Sequence, residues 1–174
     1  MSKKTVMKIY KKRHKNIWSA VVLILSVLLI SCTASKKFDK VKPADVSNLI
    51  NSKNFTFIAE RVNPFRGTSR NLTSLYDVEL KRDTLISFLP FFGRAYQAPL
   101  DPSNGGINFK STSFSYNITE KSGDEWDIYI EPKDNSDVQT MIFTIFGNGN
   151  ATLNIQNTHR DPISFYGRIE KNKQ

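Results

Sequence analysis

The sequence predicts an all-β domain, an antiparallel β-sandwich or small barrel of about eight strands, preceded by a short N-terminal helix. Three observations predict it. From Phe55 onward apolar residues alternate with polar ones, the pattern of a sheet with one face on the core. Turn-forming residues interrupt that alternation at short intervals. The 142 residues after Cys32 suffice for one domain with its own core, and they contain no repeat or low-complexity segment.

Residues 1–31 read as a signal segment. Lys3, Lys4, Lys8, Lys11, Lys12, Arg13 and Lys15 precede any acid, and residues 17–30 are almost wholly apolar. A basic stretch followed by a short apolar run is the layout of a secretory signal. A membrane-spanning helix needs about 20 apolar residues, so cleavage is expected. Leu29-Ile30-Ser31-Cys32 has the form of a bacterial lipobox. A small residue before the cysteine admits the peptidase, which cuts between Ser31 and Cys32. The Cys32 thiol takes up a diacylglycerol group, and the new amino terminus takes a further palmitate-type acyl chain. One chain anchors marginally and two anchor firmly.

The expected address is the cell envelope, with the lipid in the outer membrane and the domain facing the periplasm. Thr33 and Ala34 follow Cys32 directly, with no aspartate there to argue for the inner membrane. The basic Ser35-Lys36-Lys37 differs from the acids that tend to follow the cysteine of surface-exposed lipoproteins. Residues 32–42 then form the lipidated cysteine and a lysine-rich tether, and residues 43–174 the single β-domain.

The formal charge of +9 describes the signal more than the domain. The first 31 residues hold 7 of the 25 basic residues and none of the 16 acids, leaving 18 against 16. Nucleic-acid binding needs a basic face on the folded domain, so nucleic acid is not an expected partner. Cys32 is the only cysteine, so the domain is expected to be stable without disulfides.

Pro43 suits the first position of a helix, and Val46, Leu49 and Ile50 fall on one face of it. Strands follow at Phe55–Ala59, Tyr76–Leu80, Phe114–Ile118 and Trp126–Ile130, each alternating in period two. Thr140–Phe146 is apolar on both parities, which predicts a central strand covered on both faces. Ala151–Ile155 and Ile163–Ile169 complete the set. Arg82-Asp83, Ser122-Gly123, Lys133–Ser136 and Gly147-Asn148-Gly149 are the turns.

One stretch breaks the pattern. Leu89–Pro99, leading into Asp101–Gly106, holds Phe91, Phe92 and Tyr96 among prolines and glycines, with Arg94 between them. Prolines keep it out of a central strand. Flat apolar rings beside a cation suit a sugar, an aromatic ligand or a partner surface. The alternative is that the rings cap one end of the core and Arg94 pairs with an acid. Phe91, Phe92, Arg94 and Tyr96 are the candidate ligand or partner loop.

Four patches resemble an uncharacterised family of Bacteroidetes-type lipoproteins, known as a domain of unknown function. Ser52–Ala59 resembles the family's opening strand and Arg70–Tyr76 its second. Leu89–Pro99 with Gly105-Gly106-Ile107 and Phe109 resembles its most recognisable element, and Pro162–Ile169 its closing strand. Phe91-Phe92 stands where the family pattern has Tyr-Phe. The resemblance implies an exported, lipid-anchored β-domain and brings no activity, so no catalytic residue is carried over.

Nothing else in the chain names a reaction. His159, in the turn Asn157–Pro162, is the only histidine beyond His14. It suits a relay with Asp161 in principle, but no nucleophile-elbow motif accompanies it. With one histidine and no spare thiol, no metal or cofactor is expected. Glu60, Asp77, Glu79, Asp127 and Glu131 fall on strands, and a pair in one cleft would suit a glycosidase; alternation puts most of them on the solvent side. The expected role is therefore a non-catalytic binding or structural module. Its partners would be the membrane, through the lipid, and a protein, glycan or small hydrophobic ligand. A lipocalin-like carrier is the second reading and a weak hydrolase the third.

Overall fold

The computed structural model describes residues 43–97 and 105–172. The chain divides into two units, Met1–Asp39 and Lys40–Gln174, and the described residues belong to the second. The lipobox at Ser31 and Cys32 and the tether before Pro43 lie outside them.

Helix α1 (Pro43–Asn51) is followed by nine strands: β1 (Asn54–Pro64), β2 (Arg70–Lys81), β3 (Thr84–Leu89), β4 (Ile107–Ser111), β5 (Phe114–Lys121), β6 (Glu125–Pro132), β7 (Val138–Phe146), β8 (Asn150–Asn157) and β9 (Ile163–Lys171). They form one sheet in the order β4-β3-β2-β1-β9-β8-β7-β6-β5, antiparallel at every step. The all-β class agrees with the alternation, but the count is nine. The strands not named from the alternation are β3 (Thr84–Leu89), implied only by the Arg82-Asp83 turn, and β4, whose Ile107–Ser111 follows the proline- and glycine-rich loop too closely to stand out as a separate run.

The architecture is a single curled sheet, a half-barrel, in place of two packed layers. Strand direction alternates along an antiparallel sheet, so the first and ninth positions run the same way. β4 and β5 hold those positions and are joined by only Thr112-Ser113. An antiparallel ladder cannot form between them, and the sheet stays open along that seam. Hydrogen bonds hold the corner. The Ser111 hydroxyl donates to an Asp134 carboxylate oxygen, the Thr112 N–H donates to the other at 2.9 Å, and the Lys133 N–H donates to the Ser113 carbonyl at 2.7 Å. The Ser111 hydroxyl, then the Thr112 N–H, hold the Asp134 carboxyl below its usual range.

The concave side is filled by the buried parity of the strands. Phe55 and Phe57 of β1 reach Phe143 of β7, with ring centroids 6.0 and 5.7 Å apart and edge-to-face geometry. β9 and β8 separate those strands in the sheet, so the rings meet across the interior. Such pairs add about 0.5–1.5 kcal/mol each beyond their burial. β7 buries Met141, Phe143 and Ile145, while Ile142 is half-buried and Phe146 is exposed. The expectation of a strand covered on both faces is therefore corrected: among the described residues one face of β7 lies on the core and no second layer covers the other.

Helix α1 packs Val46 and Ile50 into the same core. The Tyr116 hydroxyl of β5 donates to the Ile50 carbonyl at 2.9 Å, and the Lys53 ammonium lies 4.9 Å from the Tyr116 ring centre. Burial pushes the Tyr116 hydroxyl pKa well up. At the chain's end, buried Asn172 donates to Leu80 and Asn54 at 2.7 Å and accepts from Thr56 at 2.6 Å, tying β1, β2 and β9 together.

A bulge bends β1. Ala59 opposes Gly167 and Arg61 opposes Tyr166, leaving Glu60 as an extra residue whose carboxylate pairs with Arg168. There the Ile58 carbonyl approaches so closely that a Cβ on Gly167 would overlap its oxygen. Only glycine admits that approach.

Candidate binding site at the loop end of the sheet

Two chain segments make the site: residues 90–97, which leave β3, and the turn 157–162, which joins β8 to β9. Residue types explain the turn. Thr158 is held on the β6–β7 turn by its N–H to the Asp137 carbonyl (2.8 Å) and its hydroxyl to the Ser136 carbonyl (2.7 Å). Pro162 then releases the chain into β9, and residues before proline favour extended backbone. That geometry lets Ala95 and Arg160 form an antiparallel bridge. The Tyr96 N–H donates to the His159 carbonyl at 2.7 Å, and the Asp161 N–H to the Arg94 carbonyl at 2.9 Å.

Asp161 is the hinge of the arrangement. It is only 2% exposed, and its carboxylate accepts from the Arg94 N–H at 3.1 Å and from the Tyr96 hydroxyl. The Tyr96 hydroxyl, then the Arg94 N–H and the charges of Arg66 and Arg94, hold its carboxyl below the usual range against the opposing effect of burial. The same contact pushes the Tyr96 hydroxyl upward.

Arg160 closes the other side. Its guanidinium donates to the Gly106 carbonyl at 2.8 Å, lies 3.7 Å from Asp137 and stands 5.3 Å from the Phe91 ring centre. Arg70 stands 5.2 Å from the Phe92 ring centre. Cation–π contacts of this kind contribute about 0.5–2 kcal/mol depending on desolvation. Gly93 makes the fold-back possible, since a Cβ there would come within 2.8 Å of the Phe91 ring.

The four candidate residues divide into two pairs. Phe91 and Phe92 are half-buried and pack against the core. Arg94 is exposed, and Tyr96 keeps 66% of its surface exposed although its hydroxyl is engaged. Arg94 meets Asp161 through its backbone, and its guanidinium remains at the surface. The loop is thus anchored by its first two aromatics and displays the third with a cation beside it. A neighbouring polar cavity of about 30 Å³, lined by Gly106, Asn135, Asp137, Asn157 and Arg160, has room for about one water.

Most of the remaining candidates are apart from one another; Asp77 and Glu79 share one face of β2, where burial and then the Glu79 charge raise the Asp77 carboxyl. His159 contributes its carbonyl, and Asp161 is occupied by Tyr96 and Arg94. Glu79 pairs with Lys81 at 2.8 Å, Glu131 with Lys133 at 2.7 Å and Asp127 with Lys121 at 2.7 Å. Among the described residues no three of His, Cys, Asp and Glu cluster as metal ligands would. Sequence reasoning missed the contributions of Arg70, Arg160 and Asp161 to the loop. Asp161-Pro162 signals a turn, but which segment that turn meets is set by the curl of the sheet.

A family model described as a domain of unknown function, DUF4251, matches residues 37–169. The chain belongs to the DUF4251 family. Among solved structures, this DUF4251 chain is similar to the crystal structure of a DUF4251 family protein from Bacteroides eggerthii DSM 20697. The likeness covers 76% of this chain and 89% of that one, at 16% identity and a TM-score of 0.58. At that identity it shows a shared fold. No curated protein matches the chain. The family match reaches from before α1 into β9, so the loop end is part of the DUF4251 domain.

Proposed function

We propose that this chain is a lipid-anchored envelope lipoprotein whose β-domain binds a partner, without catalysis, through the Arg94–Tyr96 surface. One observation carries the reading. The backbone on either side of Ala95 is bonded to the 157–162 turn, while the Arg94 and Tyr96 side chains face outward. A side chain displayed on a fixed backbone loses little freedom on binding, and Tyr and Arg are enriched where interfaces concentrate their energy. The filled concave side supports this reading over a carrier, whose ligand would need the space that Phe55, Phe57 and Phe143 occupy. The lipobox at Leu29–Cys32 supports the lipid anchor, and Thr33-Ala34 followed by the basic Ser35-Lys36-Lys37 supports placing it in the outer membrane with the domain toward the periplasm.

Two measurements test the parts separately. Cys32→Ala should abolish incorporation of labelled palmitate and move the protein out of the membrane fraction; unchanged labelling and retention refute the anchor. Arg94→Ala should leave the unfolding midpoint unchanged and abolish recovery of a component that co-purifies with the wild type. Equal recovery with both proteins refutes the surface.

A further inference from the structure

We propose that the outer face of β1, β8 and β9 carries a second site, one that takes a neutral sugar residue. It is a depression of about 240 Å³ bordered by Asn63, Phe65, Asn154, Gln156, Pro162 and Ser164. That volume is below the roughly 300–1,000 Å³ of drug-sized pockets, which suits a compact ring.

The register builds it. Asn63 pairs with Ser164, and Ser164 with Asn154, so their side chains share one face of three adjacent strands. Adjacent strands lie about 4.8 Å apart, so Asn63 and Asn154 stand about 10 Å apart with Ser164 between them. The row continues through Ile142 to Tyr129, an exposed ring two strands farther on.

Three features select the ligand. The residues that line the depression include no acid and no base; the Arg66 guanidinium stands 5.9 Å from the Phe65 ring centre, so the contacts the depression itself offers are uncharged while one cation lies beside its aromatic wall. Its polar side chains are amides and a hydroxyl, groups that donate and accept as sugar hydroxyls require; the Asn63 side-chain oxygen already accepts from the Ser69 hydroxyl and the Ser164 hydroxyl donates to the Asn63 carbonyl, which leaves the recognition to Asn154 and Gln156. Among the described residues the Asn154 and Gln156 side chains make no hydrogen bond, and both are accessible, so both are available to a ligand. Phe65 is 63% exposed and lines the same depression, with the Arg66 guanidinium 5.9 Å from its ring centre and the rest of the ring open to a ligand. An apolar ring face next to unengaged amides matches a pyranose, which has an apolar face and a hydroxylated edge.

The test uses the full chain in a sugar-free detergent, titrated with maltose, cellobiose and N,N′-diacetylchitobiose, with glucuronic acid as the charged comparator. Backbone amide shifts at Asn154, Ile155 and Gln156 should saturate with at least one neutral disaccharide, at about millimolar affinity. Glucuronic acid should bind at least about tenfold more weakly, and Phe65→Ala and Gln156→Ala should each weaken the neutral sugar by about tenfold. Gln156 is exposed, so its replacement spares the fold if Phe65→Ala loosens the β1–β2 turn. Arg94→Ala should leave the response unchanged, which separates this site from the loop surface. The proposal is overturned by no saturable shift with any of the three sugars, by equal binding of glucuronic acid, or by unchanged affinity in both site variants. Shifts that grow with protein concentration and without sugar would also overturn it, since they mark a protein contact.

Discussion

The Tyr96 hydroxyl donates to a carboxylate oxygen of Asp161, residues 65 positions apart in the chain. That contact joins the β3–β4 loop to the β8–β9 turn and leaves the Tyr96 ring at the surface. The side chain that fixes the loop is also one that the loop presents.

The contact makes the loop acid-sensitive. Asp161 and Asp134 are both held below the ordinary carboxylate range. In the unfolded chain each carboxyl returns to about 3.9. Their contribution to stability is therefore complete above that value and is lost as pH falls through the depressed folded values. Denaturant unfolding at stepped pH should show stability declining below about pH 4. Asp161→Asn should flatten part of that decline and raise hydrogen exchange at the Arg94 and Tyr96 amides. An unchanged acid limb and unchanged exchange would contradict the assignment.

Gly167 tests the bulge. A side chain at this position meets the Ile58 carbonyl, which is main chain and cannot rotate away. Gly167→Ala should cost at least about 3 kcal/mol, the upper range for overpacking, read from urea unfolding. Gly67 is the contrasting case: a Cβ there would meet nothing within 4 Å, but its φ is +109°. Gly67→Ala therefore meets backbone strain without a clash and should cost about 1 kcal/mol or more. Equal small effects at both glycines would show that β1 is not pinned against β9.

Phe143 tests the filled interior. It touches Phe55 and Phe57 from the opposite side of the curl. Phe143→Ala should destabilise by about 3–5 kcal/mol through the cavity it leaves. The wild type should show no saturable binding of a fluorescent fatty acid. Saturable binding by the wild type, competed by unlabelled fatty acid, would favour the carrier reading.

Much of this fold was legible from local pattern. Phe55, Phe57 and Ala59 alternate with polar neighbours, and those residues do line the concave side. Val46 and Ile50 sit one helical turn apart and are both buried. β4 was harder to read because Phe109 and Ile107 are its only large apolar residues, too few to establish a period. The single-layer curl was not legible at all. Ile142 and Phe146 look like residues under a second layer, yet they lie on the outer face. The loop site was half legible: its aromatics stand out by composition, whereas its anchor, Asp161, is a single acid in a turn whose partner lies 65 positions away.

Partner binding through the Arg94–Tyr96 surface is what the functional reading depends on. It is tested by purifying wild type and Arg94→Ala, each from its own cell envelope in the same detergent, with mass spectrometry of what accompanies each. Both should unfold at the same midpoint, and a component stoichiometric with the wild type should be missing from the variant. The same component recovered in equal amount with Arg94→Ala would rule that surface out.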